Sequence, residues 1–306
     1  MGERRSDEIM ARVMIFDKLS ALLVLCALLP SSVALAQQAA DVPYVSTPAS
    51  VVSAMLEMAR VGADDNLLDL GSGDGRIVIE AAQRNGARGR GIELDAHLIA
   101  IANAAAKRQG VAGKVTFVQG NLFYVDIGRP TVLTMYLLPQ INLQLRPRIL
   151  SELKPGTRVV SHDFDMGNWK PDQRREITVP NKSYGPPVSQ IYLWYVPAHV
   201  AGRWQWRLPA GGAMRSFDAR VGQTFQELST EIRVDGGAAH GQGAMLRGDF
   251  ITLNLVRETS GQKFTHEFSG RVEGDRIVGR ARISGGENAT LDWEATRVER
   301  GRMAIE

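Results

Sequence analysis

Three glycines alternate with small and acidic residues in Asp69-Leu-Gly71-Ser72-Gly73-Asp74-Gly75-Arg76, directly after the apolar pair Leu67-Leu68. An apolar run that ends in an acid and alternating glycines needs a buried strand turning sharply into a helix. Gly71 and Gly73 leave backbone open where a side chain would block a ligand, and Gly75 tightens the turn into a helix beginning near Ile77. This is the make-up of a loop that cradles a nucleotide. Its spacing is wrong for a dinucleotide fingerprint, whose third glycine would stand where Arg76 is, and it lacks the G-K-[ST] ending of a phosphate-binding Walker loop. About 20 residues further on, where a ribose-binding acid belongs, Arg88-Gly-Arg-Gly-Ile-Glu93-Leu94 reads as a second strand. Glu93 at its end is placed to take both ribose hydroxyls.

Other chemistries are poorly supplied. Cys26 is the one cysteine, so neither a disulfide framework nor a thiolate metal site is expected. The histidines at 97, 162, 199, 240 and 266 have no ligand spacing, and no metal is expected. With 36 basic against 33 acidic residues the net charge is +3, too small a field to imply nucleic-acid binding. A hydrophobic content of 44% suits a globular chain with a real core, and 306 residues leave room for two domains.

The elements that must position the loop follow in order. Residues 1–36 read as a secretory signal peptide: Arg12 and Lys18 precede an apolar stretch from Leu19, which closes on the small-x-small site Ala34-Leu35-Ala36. An exported, periplasmic or envelope-associated protein is expected, with an uncleaved membrane anchor as the alternative. Asp41 to Pro48 is an extended arm, in which Tyr44 is placed to fold over a ligand and Thr47 to cap a helix from Ala49 to Arg60. Helical spacing recurs in Ile77–Arg84, Ala96–Gln109 and Ile141–Leu153. Strands are expected at Val115–Val118, Thr131–Pro139 and Thr157–Asp163, and Arg175–Pro180 with Gln190–Pro197 form an antiparallel pair at the sheet edge. Past Ala201 the texture changes, since about half of the 31 glycines fall there and alternation such as Trp204/Trp206/Leu208 replaces helical period. A small antiparallel sandwich or barrel is expected over 199–306, with His266 packed in its core between Phe264 and Phe268.

With those elements in place, residues from about Tyr44 to Val196 resemble the class I S-adenosylmethionine-dependent methyltransferases. The branch they resemble is the protein-lysine methyltransferase family that modifies the ATP synthase c-subunit and the adenine nucleotide translocase. The matching pieces are Tyr44-Val-x-Thr-Pro48, Asp69-Leu-Gly-Ser-Gly-Asp-Gly-Arg-Ile-Val78, Gly91-Ile-Glu-Leu94, Asn121-Leu-Phe123, Arg158-Val-Val-Ser161 and Trp169-Lys-Pro171. The resemblance implies an α/β fold, a Rossmann-like seven-stranded sheet over 37–198, with S-adenosyl-L-methionine as cofactor. It implies that Asp69, Gly71, Ser72, Gly73, Asp74, Gly75 and Glu93 hold that cofactor, and that Asn121 and Leu122 meet its adenine. Asn121 stands where the family often has an aspartate.

Methyl transfer to a neutral amine is mostly a matter of positioning. Aromatic faces tolerate cationic groups, which makes Tyr44, Tyr136 and Trp169 candidates for the acceptor side together with Thr47 and His162. Tyr136, leaving strand four, is the candidate catalytic residue that orients the acceptor, and His162 is a weaker candidate base. The expected acceptor is a protein lysine, or else a small molecule. A non-catalytic envelope protein that binds a nucleoside-like ligand is the rival from another class, and membrane contact is expected only if residues 1–36 are retained.

Overall fold

The computed structural model describes residues 44–182, 185–210, 212–259, 261–285 and 288–305. The chain divides into two compact units, Met1–Tyr44 and Val45–Glu306, and the elements below all lie in the second. The signal-peptide segment lies outside the described residues.

Helix and strand alternate at first: α1 (Ala49–Met58), β1 (Asn66–Leu70), α2 (Arg76–Asn85), β2 (Arg88–Glu93), α3 (Ala96–Arg108), β3 (Val115–Gln119), β4 (Val132–Met135), α4 (Pro139–Glu152) and β5 (Arg158–His162). Two strands then follow without a helix, β6 (Gln173–Thr178) and β7 (Val188–Tyr195). All seven strands form one sheet in the order β3-β2-β1-β4-β5-β7-β6. The first five run parallel, and β7 is antiparallel to both its neighbours.

β1 is an inner strand, flanked by β2 and β4, so both its faces are buried and its sequence reads as a nearly continuous apolar run. Leu67 points into the core made with α1 and α2, while Leu68 and Leu70 point into the core made with α4. The strand order reverses between β1 and β4, and at such a switch point the following loops diverge and leave a crevice at the carboxyl ends. Leu70 pairs with both Ile92 and Met135, and Met135 pairs with Ser161. Gly71, Glu93, Tyr136 and His162 therefore emerge at one level of the sheet.

Some local expectations shift. Helix α1 stops at Met58, and Pro48 at its start has no side-chain cap; Thr47 is used elsewhere. Strand β4 is shorter than the apolar stretch Thr131–Pro139, because Pro139 opens α4, where its missing N–H leaves no bond unmade.

The remaining strands are β8 (Gly202–Ala210), β9 (Ala213–Thr224), β10 (Glu227–Val234), β11 (Gly237–Arg247), β12 (Phe250–Thr259), β13 (Gln262–Glu273), β14 (Arg276–Ser284) and β15 (Ala289–Arg300). They form a closed antiparallel barrel, with β15 pairing back onto β8. Closure leaves no bare sheet edge. The alternating residues Trp204, Trp206, Phe217, Phe268 and Trp293 fill the interior. His266 sits among them as a core histidine, 5.6 Å from the Phe217 ring, and burial pushes its pKa down to about 4 with a smaller contribution from Arg257.

A parallel sheet must be covered on both faces, yet no helix lies between β5 and β6 to cover Tyr192 and Trp194. The barrel supplies the cover. Phe225 from the β9–β10 turn joins the α4-side core, and Met303 and Ile305 pack against it.

Candidate functional site

The loop after β1 is tied to the end of β2 by backbone. Gly71 and Ser72 both donate their N–H to Ile92 O at 2.9 Å, and Gly73 donates to Glu93 Oε2 at 2.8 Å. The other carboxylate oxygen of Glu93 accepts from Leu94 N (2.8 Å) and Asp95 N (3.1 Å). Gly71, Gly73 and Gly75 have φ of 74°, 52° and 77°, a region side chains rarely enter. A Cβ on Gly71 would come within 2.8 Å of Leu137 Cδ2. Ser72 Oγ is buried and has no protein partner among the described residues.

These features fit S-adenosylmethionine. A fixed carboxylate at Glu93 suits a ribose diol, and the bare turn ahead of the N-terminus of α2 suits the amino-acid end with its carboxylate. Asp69 supports the loop from beneath: it is buried, and Thr134 Oγ1 donates to its Oδ1 at 2.7 Å. Burial pushes its carboxyl up to about 7, against the pull of the Thr134 hydrogen bond and with smaller upward contributions from Glu93 and Asp74. Asp74 forms a two-pronged pair with Arg76 (2.9 and 2.6 Å), and Arg76 Nη1 donates to Thr47 O at 2.8 Å. Asp74 thereby fastens the arm before α1 to the loop. Asn121 Oδ1 accepts from Phe123 N at 2.9 Å, so one of its two lone pairs is spent on its own turn. Leu122 is half-buried, and Arg148 of α4 braces that turn by donating to the carbonyls of Leu122 (3.1 Å), Phe123 (2.6 Å) and Val125 (2.7 Å).

The acceptor side gathers at the ends of β4 and β5. The Tyr136 ring lies 3.9 Å from the His162 imidazole and 6.3 Å from Phe164. His162 is fully buried, with Nε2 2.8 Å from Ser189 Oγ and Nδ1 3.3 Å from Thr47 Oγ1. Burial pushes its pKa down to about 4, with Asp163 pulling upward and Lys182 pushing down. His162 is therefore neutral near pH 7 with both nitrogens engaged, which suits a support for Tyr136 better than a base.

Asp163, next in the chain, was read from the sequence only as the end of a strand. It has a φ of 62°, a strained conformation for a residue with a side chain. Its Oδ2 lies 3.4 Å from the Tyr136 hydroxyl, which donates to it, and accepts from Lys182 Nζ at 2.6 Å. Asn142 of α4 holds this turn, donating to Ser161 Oγ, Phe164 O and Asp165 O, each at 3.2 Å. Spacing gives no sign of Asp163, Lys182 or Asn142, because a left-handed turn and a lysine folded inward from a connection have no periodicity.

One acceptor-side expectation changes. Trp169 is fully buried away from the crevice, 5.8 Å from Trp194 and 6.0 Å from Phe225, because the uncovered sheet face claims it. Tyr44 closes the first compact unit and is half exposed. Among the described residues no group of three His, Cys, Asp or Glu side chains could hold a metal. A concavity of about 840 Å³ lies over β8 to β10, on the barrel, where Arg203 is paired with Asp218.

Comparison with known proteins finds relatives of part of this chain. The ANTKMT methyltransferase domain family matches residues 69–173. A protein-lysine N-methyltransferase of Saccharolobus islandicus is 43% identical over 159 residues, 52% of this chain and 96% of the relative. The adenine nucleotide translocase lysine N-methyltransferase of Mus musculus is 35% identical over 131 residues, 43% of this chain and 57% of the relative. The chain thus spans little more than half the length of that animal relative. A solved structure described as an RNA methyltransferase from Salinibacter ruber, in complex with S-adenosyl-L-homocysteine, is 51% identical and covers 51% of this chain and 96% of that one, with a TM-score of 0.46. The near-complete span of the Saccharolobus relative, together with the loop and Glu93, places the chain: it belongs to the protein-lysine N-methyltransferase family of S-adenosylmethionine-dependent methyltransferases.

Proposed function

We propose that this methyltransferase acts on the ε-amine of a protein lysine. The observation that carries this reading is the meeting of Tyr136 and Asp163 at one oxygen, on the strands next to the glycine loop. The Saccharolobus and mouse relatives named for lysine methylation support it. S-adenosylmethionine, when bound, supplies an electrophilic methyl group on a sulfonium. The chain's own work is positioning, which at near-attack distance can remove about 7–11 kcal/mol of the barrier. Glu93 and the Gly71–Gly75 backbone fix the cofactor. The Tyr136 hydroxyl, hydrogen-bonded to Asp163 Oδ2, orients the acceptor, whose ammonium first gives a proton to water so that the nitrogen lone pair is free to take the methyl group. The rings of Tyr136 and Phe164 offer faces that tolerate a methylated ammonium.

Export is a separate proposal, supported by the basic residues and the apolar stretch through Ala36. Among the described residues no helix is long and apolar enough to cross a membrane. Fractionation of cells expressing the full chain tests it: a shortened, periplasmic product is expected, and a full-length cytoplasmic product contradicts export.

The lysine reading is tested by incubating the full chain and labelled S-adenosylmethionine with protein fractions, RNA and a small-molecule extract, each separately. After acid hydrolysis the label is expected in methylated lysines. Label confined to RNA or to small molecules would overturn the lysine assignment.

A further inference from the structure

A lysine ammonium already sits beside Tyr136, and it belongs to the chain itself. Lys182 comes from the connection between β6 and β7, outside the parallel core, and its side chain is only 6% exposed. Its Nζ donates to Asp163 Oδ2 at 2.6 Å and to Val188 O at 2.8 Å. The receiving carboxylate is held rigidly. Asp163 N donates to Gln190 O at 2.7 Å, and Gln190 N donates to Asp163 Oδ1 at 3.0 Å. One oxygen of Asp163 is thus used by the backbone and the other faces Tyr136, His162 and Lys182. A buried ammonium needs a carboxylate and further acceptors around it, and this arrangement provides both at the level of the sheet where the glycine loop emerges.

Resting on the lysine reading above, we propose that Asp163 Oδ2 and Val188 O form the seat for the acceptor's alkylammonium, and that Lys182 fills this seat until a substrate lysine displaces it. The two occupants are the same group, a primary ammonium on a four-carbon stem. The left-handed backbone at Asp163 brings its carboxylate to the Tyr136 hydroxyl as well as to Lys182, which a counter-ion for Lys182 alone would not require.

The test uses n-butylammonium, the end of a lysine side chain without its backbone, titrated into the full chain saturated with S-adenosylhomocysteine. Wild type is expected to bind it weakly and Lys182→Met at least tenfold more tightly, with the KM for the acceptor falling in parallel. Lys182→Arg is expected to keep the seat filled and stay near wild type, and Asp163→Asn to lose binding in either background. In wild type labelled with ¹⁵N-lysine, the Lys182 Nζ signal, assigned by its absence in Lys182→Arg, is expected to disappear as butylammonium saturates. A Lys182→Met protein that binds S-adenosylhomocysteine normally but gains no affinity for butylammonium overturns the proposal. So does a wild-type Lys182 signal that persists at saturation, a result that does not depend on the variant folding. Because butylammonium binding is read without methyl transfer, the seat can fail while labelled methyllysine still forms, and the reverse is equally visible.

Discussion

The indole of Trp169 lies 6.0 Å from the ring of Phe225 and nearly parallel to it, at 13°. One residue belongs to the segment between β5 and β6, the other to a barrel turn where it holds a φ of 51°. Arg146 of α4 covers the other partner, its guanidinium 5.3 Å from the Phe225 ring. Phe225 is buried, so truncating it leaves a cavity in the methyltransferase core. Phe225→Ala is expected to lower stability by about 3–5 kcal/mol. Chemical denaturation followed by both near-UV and far-UV signals should then show one shifted transition for sheet and barrel together. Two separated transitions, with the sheet unshifted, would show that the barrel is not part of that core.

Gly75 combines a φ of 77° with crowding: a Cβ there would fall 2.5 Å from Phe117 Cζ and 2.8 Å from Ala102 Cβ. Strain and overpacking together make Gly75→Ala destabilising by roughly 2–4 kcal/mol. A midpoint in urea within error of wild type would contradict the tight joint between α2 and the sheet.

Asn142 is buried and donates to three acceptors at the end of β5. Asn142→Ala frees the turn that carries Asp163 and Phe164, so turnover is expected to fall about tenfold or more, in line with the loss of ~1–3 kcal/mol of positioning. S-adenosylhomocysteine affinity is expected to stay at wild type, since the cofactor loop is held from β2. Equal losses in both would place Asn142 in general stability instead.

Asp69 and His162 give opposite pH dependences. The Asp69 carboxyl is raised from 3.8 to about 7 in the folded chain, chiefly by burial. Between those values the native state holds the proton more tightly than the unfolded chain, so this contribution to stability is lost as pH rises toward 7. His162 is lowered from 6.5 to about 4, again chiefly by burial. Its contribution is present above 6.5 and is lost as pH falls toward 4. Relative to wild type, Asp69→Asn should gain stability as pH rises from 4 to 7, and His162→Gln should lose it over the same range. Denaturation series at several pH values check both, and parallel curves would contradict the burial of these groups.

How much of this was legible in the sequence depended on the kind of signal. Central strands announce themselves as unbroken apolar runs, so Leu67 to Leu70 and its parallel neighbours could be placed, and the glycine loop with Glu93 could be read because each glycine answers a backbone need. The barrel strands were visible as alternation. Trp169 misled because an aromatic two residues before a proline looks the same whether it lines a crevice or covers a bare sheet, and only the missing helix between β5 and β6 decides which. Asp74 also grips Arg76, a pairing that the loop motif alone does not reveal. Thr47, read as a helix cap, is turned instead toward His162, a residue more than a hundred positions away. Arg148 bracing the Asn121 turn depends on a long-range approach that no local pattern encodes.

The central claim is that the glycine loop and Glu93 hold one S-adenosylmethionine between them. Calorimetric titration of S-adenosylhomocysteine into the full chain, and into Glu93→Ala and Glu93→Gln, tests it most directly. Wild type is expected to bind one equivalent. Glu93→Ala should bind roughly 10- to 100-fold more weakly, as expected for loss of charge-assisted hydrogen bonds worth about 1.5–3 kcal/mol, with Glu93→Gln in between. Unchanged affinity in Glu93→Ala would contradict the claim.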